Sequence, residues 1–157
     1  MNDPDDIYQW RRIDARLTTS GQPDEAQLAA IAALGVRHVV NLGLHSHPKA
    51  LPDEAASVAT LGMDYHHLPV DFDAPTDVDY ARFVSVMAAI GEAPVHVHCI
   101  ANLRVSAFLY RWFRDAGMAE DRARAVLEDV WRPGGVWAAI IGDADAPAVH
   151  RIRGRDY

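Results

Sequence analysis

The chain has a single cysteine, Cys99, so no disulfide can close within it. It has no long hydrophobic run. Its apolar stretches are far too short to cross a bilayer. Basic charge is in short supply: 15 Lys and Arg against 22 Asp and Glu leave a net charge of -7. That balance argues against nucleic acid or an anionic membrane surface as a partner, and any anionic ligand must be held by local groups against an unfavourable overall field. The opening residues MNDPDDIYQW lack the basic and apolar regions of a secretory leader. No repeat or low-complexity segment stands out. These absences predict a soluble protein of a reducing compartment, the cytoplasm.

What the sequence does contain is an alternation of strand-like and helix-like patterns over 157 residues, enough for one domain that buries about two-thirds of its unfolded surface. Tyr8 to Asp14 and Leu17 to Ser20 read as strands. Pro23 is expected as a first helical residue, with Leu28, Ile31 and Leu34 on the apolar stripe and Gly35 as the cap. Val36 to Leu42 is β-branched and apolar, as a buried strand would be. A short helix over Asp53 to Leu61 and a strand over Tyr65 to Val70 come next. Thr76 with Asp79 is a capping box opening a helix whose inward face is Tyr80, Phe83, Val84 and Met87. Pro94 to His98 is the last strand. Leu103 to Ala116 is helical with Val105, Leu109, Trp112, Phe113 and Ala116 inward, Glu120 to Trp131 is a further helix ended by Pro133, and Val136 to Ile141 is a final short one. The expected fold is a single α/β domain over residues 8–141, with a central, mostly parallel sheet of four or five strands flanked by helices and with flexible termini at 1–7 and 142–157.

The segment Val97-His98-Cys99-Ile100-Ala101-Asn102-Leu103-Arg104-Val105-Ser106 joins the last strand to an apolar helix. Ligands bind at the carboxyl ends of strands in α/β sheets, and the amides of such a turn can converge on an anion ahead of a helix N-terminus. Ile100, Ala101, Asn102 and Leu103 would supply those amides. A cysteine at that place is favoured as thiolate, a strong nucleophile. Arg104, one turn into the helix, can hold two phosphate oxygens in bidentate fashion. A thiolate, an amide cradle and a guanidinium meet the requirements for attack on phosphorus. The competing reading is a small buried thiol at an ordinary strand end, with a solvated arginine beyond it.

VHVHC, a loop, an arginine and a serine together resemble the active-site motif of the cysteine-dependent protein tyrosine and dual-specificity phosphatases. Thr19 to Pro23 (TSGQP) resembles a feature of their small bacterial relatives. The resemblance runs from about Ile13 to Trp131. It implies that Cys99 is the nucleophile of a phosphocysteine intermediate, that Arg104 binds phosphate and its transition state, that His98 orders the loop and helps keep the thiolate, and that the Ser106 hydroxyl belongs to the substrate-binding set. It also implies a general acid on an upstream loop, and Asp71-Phe72-Asp73-Ala74-Pro75 is the matching place, with Asp73 first and Asp71 second. The substrate would be a phosphorylated protein or a small phosphomonoester, hydrolysed with no cofactor and no metal. The chain departs from the family pattern in three ways. Four residues rather than five separate Cys99 from Arg104, the loop has no glycine, and Val105 precedes the hydroxyl residue. Asn102 is the loop residue that best tolerates the left-handed dihedrals a tight turn demands.

Eight histidines invite a metal reading, but no close ligand motif accompanies them. Alternation puts His96 and His98 on one face of their strand and Cys99 on the other. His45 and His47 are expected on a loop near the pocket rim, and His66 or His67 at the sheet surface. Two other functions use the same loop: a non-catalytic phosphate- or sulfate-binding module, and a sulfur-transfer or arsenate-reducing enzyme served by an external thiol. The oligomeric state is not written in the sequence.

Overall fold

Five strands form one sheet in the computed structural model, which describes residues 2–143, Ala146 and the backbone of Arg151 and Ile152. In chain order the elements are β1 (Arg11–Arg12), β2 (Leu17–Ser20), α1 (Glu25–Ala33), β3 (His38–Asn41), α2 (Glu54–Thr60), β4 (Asp64–His67), α3 (Asp77–Ile90), β5 (Val95–His98), α4 (Leu103–Asp115), α5 (Glu120–Glu128), β6 (Trp131–Arg132), α6 (Gly135–Ile141) and β7 (Arg151–Ile152). The sheet order is β1-β2-β5-β3-β4. All neighbours are parallel except β1, which returns antiparallel beside β2, and β6 and β7 pair separately. This is the expected single α/β domain with a mostly parallel sheet.

Strand β5 lies at the centre, with His98 in register with Ser20 on one side and Asn41 on the other. Cys99 therefore emerges at the carboxyl edge, in the middle of the sheet. The period of two along each strand divides the core. Val95, Val97 and Cys99 share a face with Leu17 and Val40 and pack under α3, α4, α5 and α6. Val39 turns to the opposite face and packs with Leu28 and Ile31 of α1 and Val58 of α2. His96 and His98 belong to this second face, where His96 stacks on Trp10 at 5.2 Å between ring centroids.

The helix starts obey their local chemistry. The Thr76 and Asp79 box closes in both directions, and Asp24 with Gln27 forms a second box at α1. Pro23 is thus not the first helical residue: Asp24 caps the helix, and Pro23 lies before it. The first strand is only Arg11–Arg12 of the expected Tyr8 to Asp14. Helix α5 stops at Glu128 rather than Trp131. Arg132 precedes Pro133 and is pushed toward extended backbone, and Trp131 gains a place in the core, where its Nε1 donates to Leu103 O at 3.1 Å. On α4 the inward side is carried by Leu103 to Tyr110, all buried. Trp112 and Phe113 are only partly buried and Ala116 is exposed.

Within residues 1–7, Ile7 is buried and Asp3 pairs with Arg12 at 2.6 Å. The expected flexible stretch 142–157 lies largely outside the described residues. No helix among the described residues is long and apolar enough to cross a membrane.

Candidate active site

Cys99 leaves β5 with no solvent exposure, and its amide donates to Ser20 O at 3.4 Å. The chain then turns through Ile100, Ala101 and Asn102 into α4. Asn102 takes φ 66°, ψ 8°, the left-handed conformation that lets four residues reverse the chain without glycine. Its side chain donates to Gln9 O (2.9 Å) and Thr19 Oγ1 (3.0 Å). The amides of Ile100, Ala101, Asn102, Leu103 and Arg104 make no hydrogen bond to any described residue. Consecutive unclaimed donors at a helix start, behind a left-handed residue, are the chemistry of an anion nest.

Arg104 lies in the first turn of α4 and is 4% exposed. Its Nε donates to Val70 O at 2.8 Å, and its guanidinium carbon stands 5.3 Å from the centroid of the Phe72 ring. One nitrogen, Nη1, is buried with no partner among the described residues. A buried guanidinium donor is costly to leave unmade, and an oxyanion is its natural complement. The neighbouring loop feels the same charge: burial first, and then Arg104 and Lys49, hold the His47 imidazole below its usual value. The Ser106 hydroxyl donates to Leu103 O at 3.1 Å, so its oxygen keeps its lone pairs but not its proton for other partners.

The loop is braced from the sheet's second face. His98 Nδ1 lies 3.1 Å from Cys99 O, and its Nε2 lies 2.6 Å from Glu54 Oε2. Neither side chain of that pair is exposed by more than 1%. The second Glu54 oxygen accepts from Gln22 Nε2 at 2.9 Å, and the Gln22 amide donates to Ile100 O at 3.0 Å. Burial alone would raise the Glu54 carboxyl, but the charge and hydrogen bond of His98, with the Gln22 bond, bring it below the usual carboxylate value. Gly21 meets the loop so closely that a Cβ there would stand 2.5 Å from Ile100 O. The TSGQP stretch is thus the loop's outer brace. Alternation along the strand anticipates the faces of His96, His98 and Cys99. It gives no sign of Glu54 or Gln22, because a glutamate in a first helical turn reads as a solvated dipole partner.

The upstream loop is held by its aromatic residue. Phe72 packs on Trp131 and Trp137 at 5.8 and 5.6 Å, and Phe72 O accepts from Trp137 Nε1 at 2.7 Å. The Asp71 carboxylate folds inward to the Asp73 amide at 2.9 Å. The Asp73 side chain is exposed and has no partner among the described residues. The structure therefore brings together Cys99, the loop amides, Arg104 and His98, with Phe72 against Arg104 and Asp73 next to it in the chain. No group of three or more His, Cys, Asp or Glu suited to a metal occurs among the described residues. His45 and His67 instead stack at 3.6 Å, with His45 Nε2 2.8 Å from the Tyr65 hydroxyl.

No family model matches the chain. A candidate phosphatase (DUF442) from Shewanella putrefaciens CN-32 superposes with a TM-score of 0.77 and is 30% identical, the match covering 88% of this chain and 91% of that one. TpbA from P. aeruginosa, crystallised with phosphotyrosine, superposes with a TM-score of 0.61 at 21% identity, over 76% of this chain and 72% of the other. The chain belongs to the DUF442 family of phosphatase-like proteins, and it has the fold of the cysteine-dependent phosphatases. Among curated proteins, this phosphatase-like chain is 32% identical over 96 residues to a beta-lactamase hydrolase-like protein of Agrobacterium fabrum, covering 59% of the present chain. The chain spans about a fifth of the length of the curated relatives it matches.

Proposed function

We propose that this chain hydrolyses phosphomonoesters through a phosphocysteine intermediate. The observation that carries the reading is that two sets of donors on the segment that begins at Cys99, the amides from Ile100 to Arg104 and the buried Arg104 Nη1, find no acceptor among the described residues. In the proposed reaction the Cys99 thiolate attacks phosphorus. The bond to the leaving oxygen breaks, and Asp73 gives that oxygen its proton. Water then attacks the phosphocysteine, Asp73 takes a proton from it, and phosphate leaves with the thiolate restored. Arg104 and the amides hold the equatorial oxygens, whose charge is best stabilised in the transition state. The cysteine must stay reduced to act, which suits the cytoplasm. A phosphorylated protein and a small phosphomonoester are both candidate substrates, and phosphotyrosine, the ligand of TpbA, is a rational first choice.

A second reading has its own observation. Cys99 has no exposed surface, and a loop of four residues offers a narrow cradle. A module that binds phosphate or sulfate without turnover needs the donors but not an accessible thiol. Hydrolysis of an aryl phosphate separates the two. Turnover by wild type that Cys99→Ser abolishes, with vanadate still bound by the variant, is the result expected for the enzyme. Turnover surviving in Cys99→Ser sinks the thiolate mechanism, and an anion bound by both proteins with turnover in neither supports the binding module.

A further inference from the structure

Beneath the loop, on the sheet's second face, His98 and Glu54 form a buried pair that takes no part in the proposed chemistry itself; a role for it rests on the phosphatase reading. The His98 ring is enclosed, and both of its nitrogens face oxygens. Nδ1 faces the Cys99 carbonyl at 3.1 Å, an oxygen that can only accept. Nε2 faces Glu54 Oε2 at 2.6 Å, and the other Glu54 oxygen accepts from Gln22 Nε2 at 2.9 Å. A neutral imidazole has one N–H and cannot donate to both sides. We infer that Glu54 is a positioning residue for the proposed phosphatase: its buried carboxylate keeps a second proton on His98, so that one N–H is held by Glu54 and the other holds the Cys99 carbonyl and fixes the start of the anion-binding loop.

The neighbours that act on the pair electrostatically are His96, whose ring centroid is 6.2 Å from that of His98, and His45, His67 and Tyr65 from β4 and the loop before α2. Cys99 and Arg104 lie on the loop side. Burial first, then the charge on His98, keeps His96 neutral. Burial first, then the negative charge of Glu54, pushes the Tyr65 phenol up, so it stays protonated. Glu54 is the carboxylate in direct contact with the His98 ring. Its position comes from the fold: Asp53 caps α2 through the Ala56 amide, which turns the first helical residue down onto the sheet face that carries His98. The role is indirect, because Glu54 touches His98 and Gln22 rather than the reacting atoms.

The test uses the full chain and two readouts. In wild type at neutral pH, nitrogen NMR of the His98 ring is expected to show both nitrogens protonated; in Glu54→Gln it is expected to show one. The pH profile of kcat on an aryl phosphate is expected to lose its alkaline side in Glu54→Gln, the fall in rate moving to lower pH by about one unit or more, the scale on which a close opposite charge acts. KM should change less than kcat, and Glu54→Asp should recover part of the profile because it restores the charge. A wild-type ring with a single protonated nitrogen overturns the proposal, whether or not either variant folds. So does a Glu54→Gln profile that superimposes on that of wild type, even if its rate is lower at every pH. Two protonated nitrogens in a wild type that hydrolyses nothing would leave the pair as inferred and count against the phosphatase reading alone.

Discussion

At the scale of single residues, the two aspartates of the upstream loop have different local fates. Asp71 closes a turn onto the Asp73 amide, whereas the Asp73 carboxylate is left exposed and next to Phe72, the residue that touches Arg104. A proposed general acid must be able to give its proton to a substrate, and only Asp73 is uncommitted. Asp73→Asn should lower kcat on a poor leaving group by about a hundredfold or more, the usual scale of general acid catalysis. It should spare an activated aryl ester far more. Asp71→Ala should cost stability through its turn and affect both esters alike. Steady-state rates on the two esters distinguish the roles, and equal losses on both in Asp73→Asn would remove it as the acid. Gly21 has a different significance at this scale. The requirement is closeness to Ile100 O, not dihedral freedom, so Gly21→Ala must push loop backbone aside. We expect a loss of about 1–3 kcal/mol in denaturant unfolding, the usual cost of overpacking.

At the scale of elements, the β5–loop–α4 unit replaces the missing glycine with one asparagine. Asn102 accepts the left-handed backbone, and its amide ties the loop to Gln9 and Thr19. An alanine there would bear about 1–2 kcal/mol of dihedral strain and lose both hydrogen bonds. Asn102→Gly would lose the bonds without the strain. Thermal unfolding should therefore rank wild type above Asn102→Gly and Asn102→Ala lowest; an alanine variant as stable as the glycine one would contradict that ranking. This unit is the most legible part of the sequence, since an apolar strand, a short connection and an apolar helix follow one another in the order of an α/β unit. The capping box at Thr76 is equally plain. Legibility fails where tertiary contact outweighs local pattern. Trp131 fits a helical spacing, yet it is drawn into an extended segment by the Leu103 carbonyl and the Phe72 and Trp137 rings. Glu54 looks solvated because nothing within a few residues announces His98, 44 positions away. Arg104 and Cys99 can be paired from spacing, but the free Nη1 and the unclaimed amides are properties of a folded turn.

At the scale of the molecule, buried histidines that refuse a proton make stability fall as pH falls. His96 has no exposed surface, lies 2.8 Å from both Thr18 Oγ1 and Ser20 Oγ, and is kept neutral by burial and by the neighbouring charge on His98 to well below the usual imidazole range. In the unfolded chain it takes up a proton near pH 6.5. As pH falls below that value, the unfolded state binds a proton the folded state refuses, and stability drops at up to about 1.4 kcal/mol per pH unit. The partly buried His66 and His67, also lowered by burial, add smaller effects of the same sign. Glu54 acts later. Its folded carboxyl is held below its unfolded value, so its contribution is complete above the ordinary carboxylate range and is lost as pH falls through the lower folded value. Wild type should therefore lose several degrees of thermal midpoint between pH 7 and pH 5, at about 2–4 °C per kcal/mol for a chain of this size, and should fall again below the carboxylate range. His96→Asn retains a polar group between Thr18 and Ser20 but cannot titrate. Its midpoint should start lower at pH 7 and decline with a visibly shallower slope to pH 5, while its second fall at acid pH stays. Parallel slopes for the two proteins between pH 7 and pH 5 would mean that His96 is not the group that couples this fold to acid.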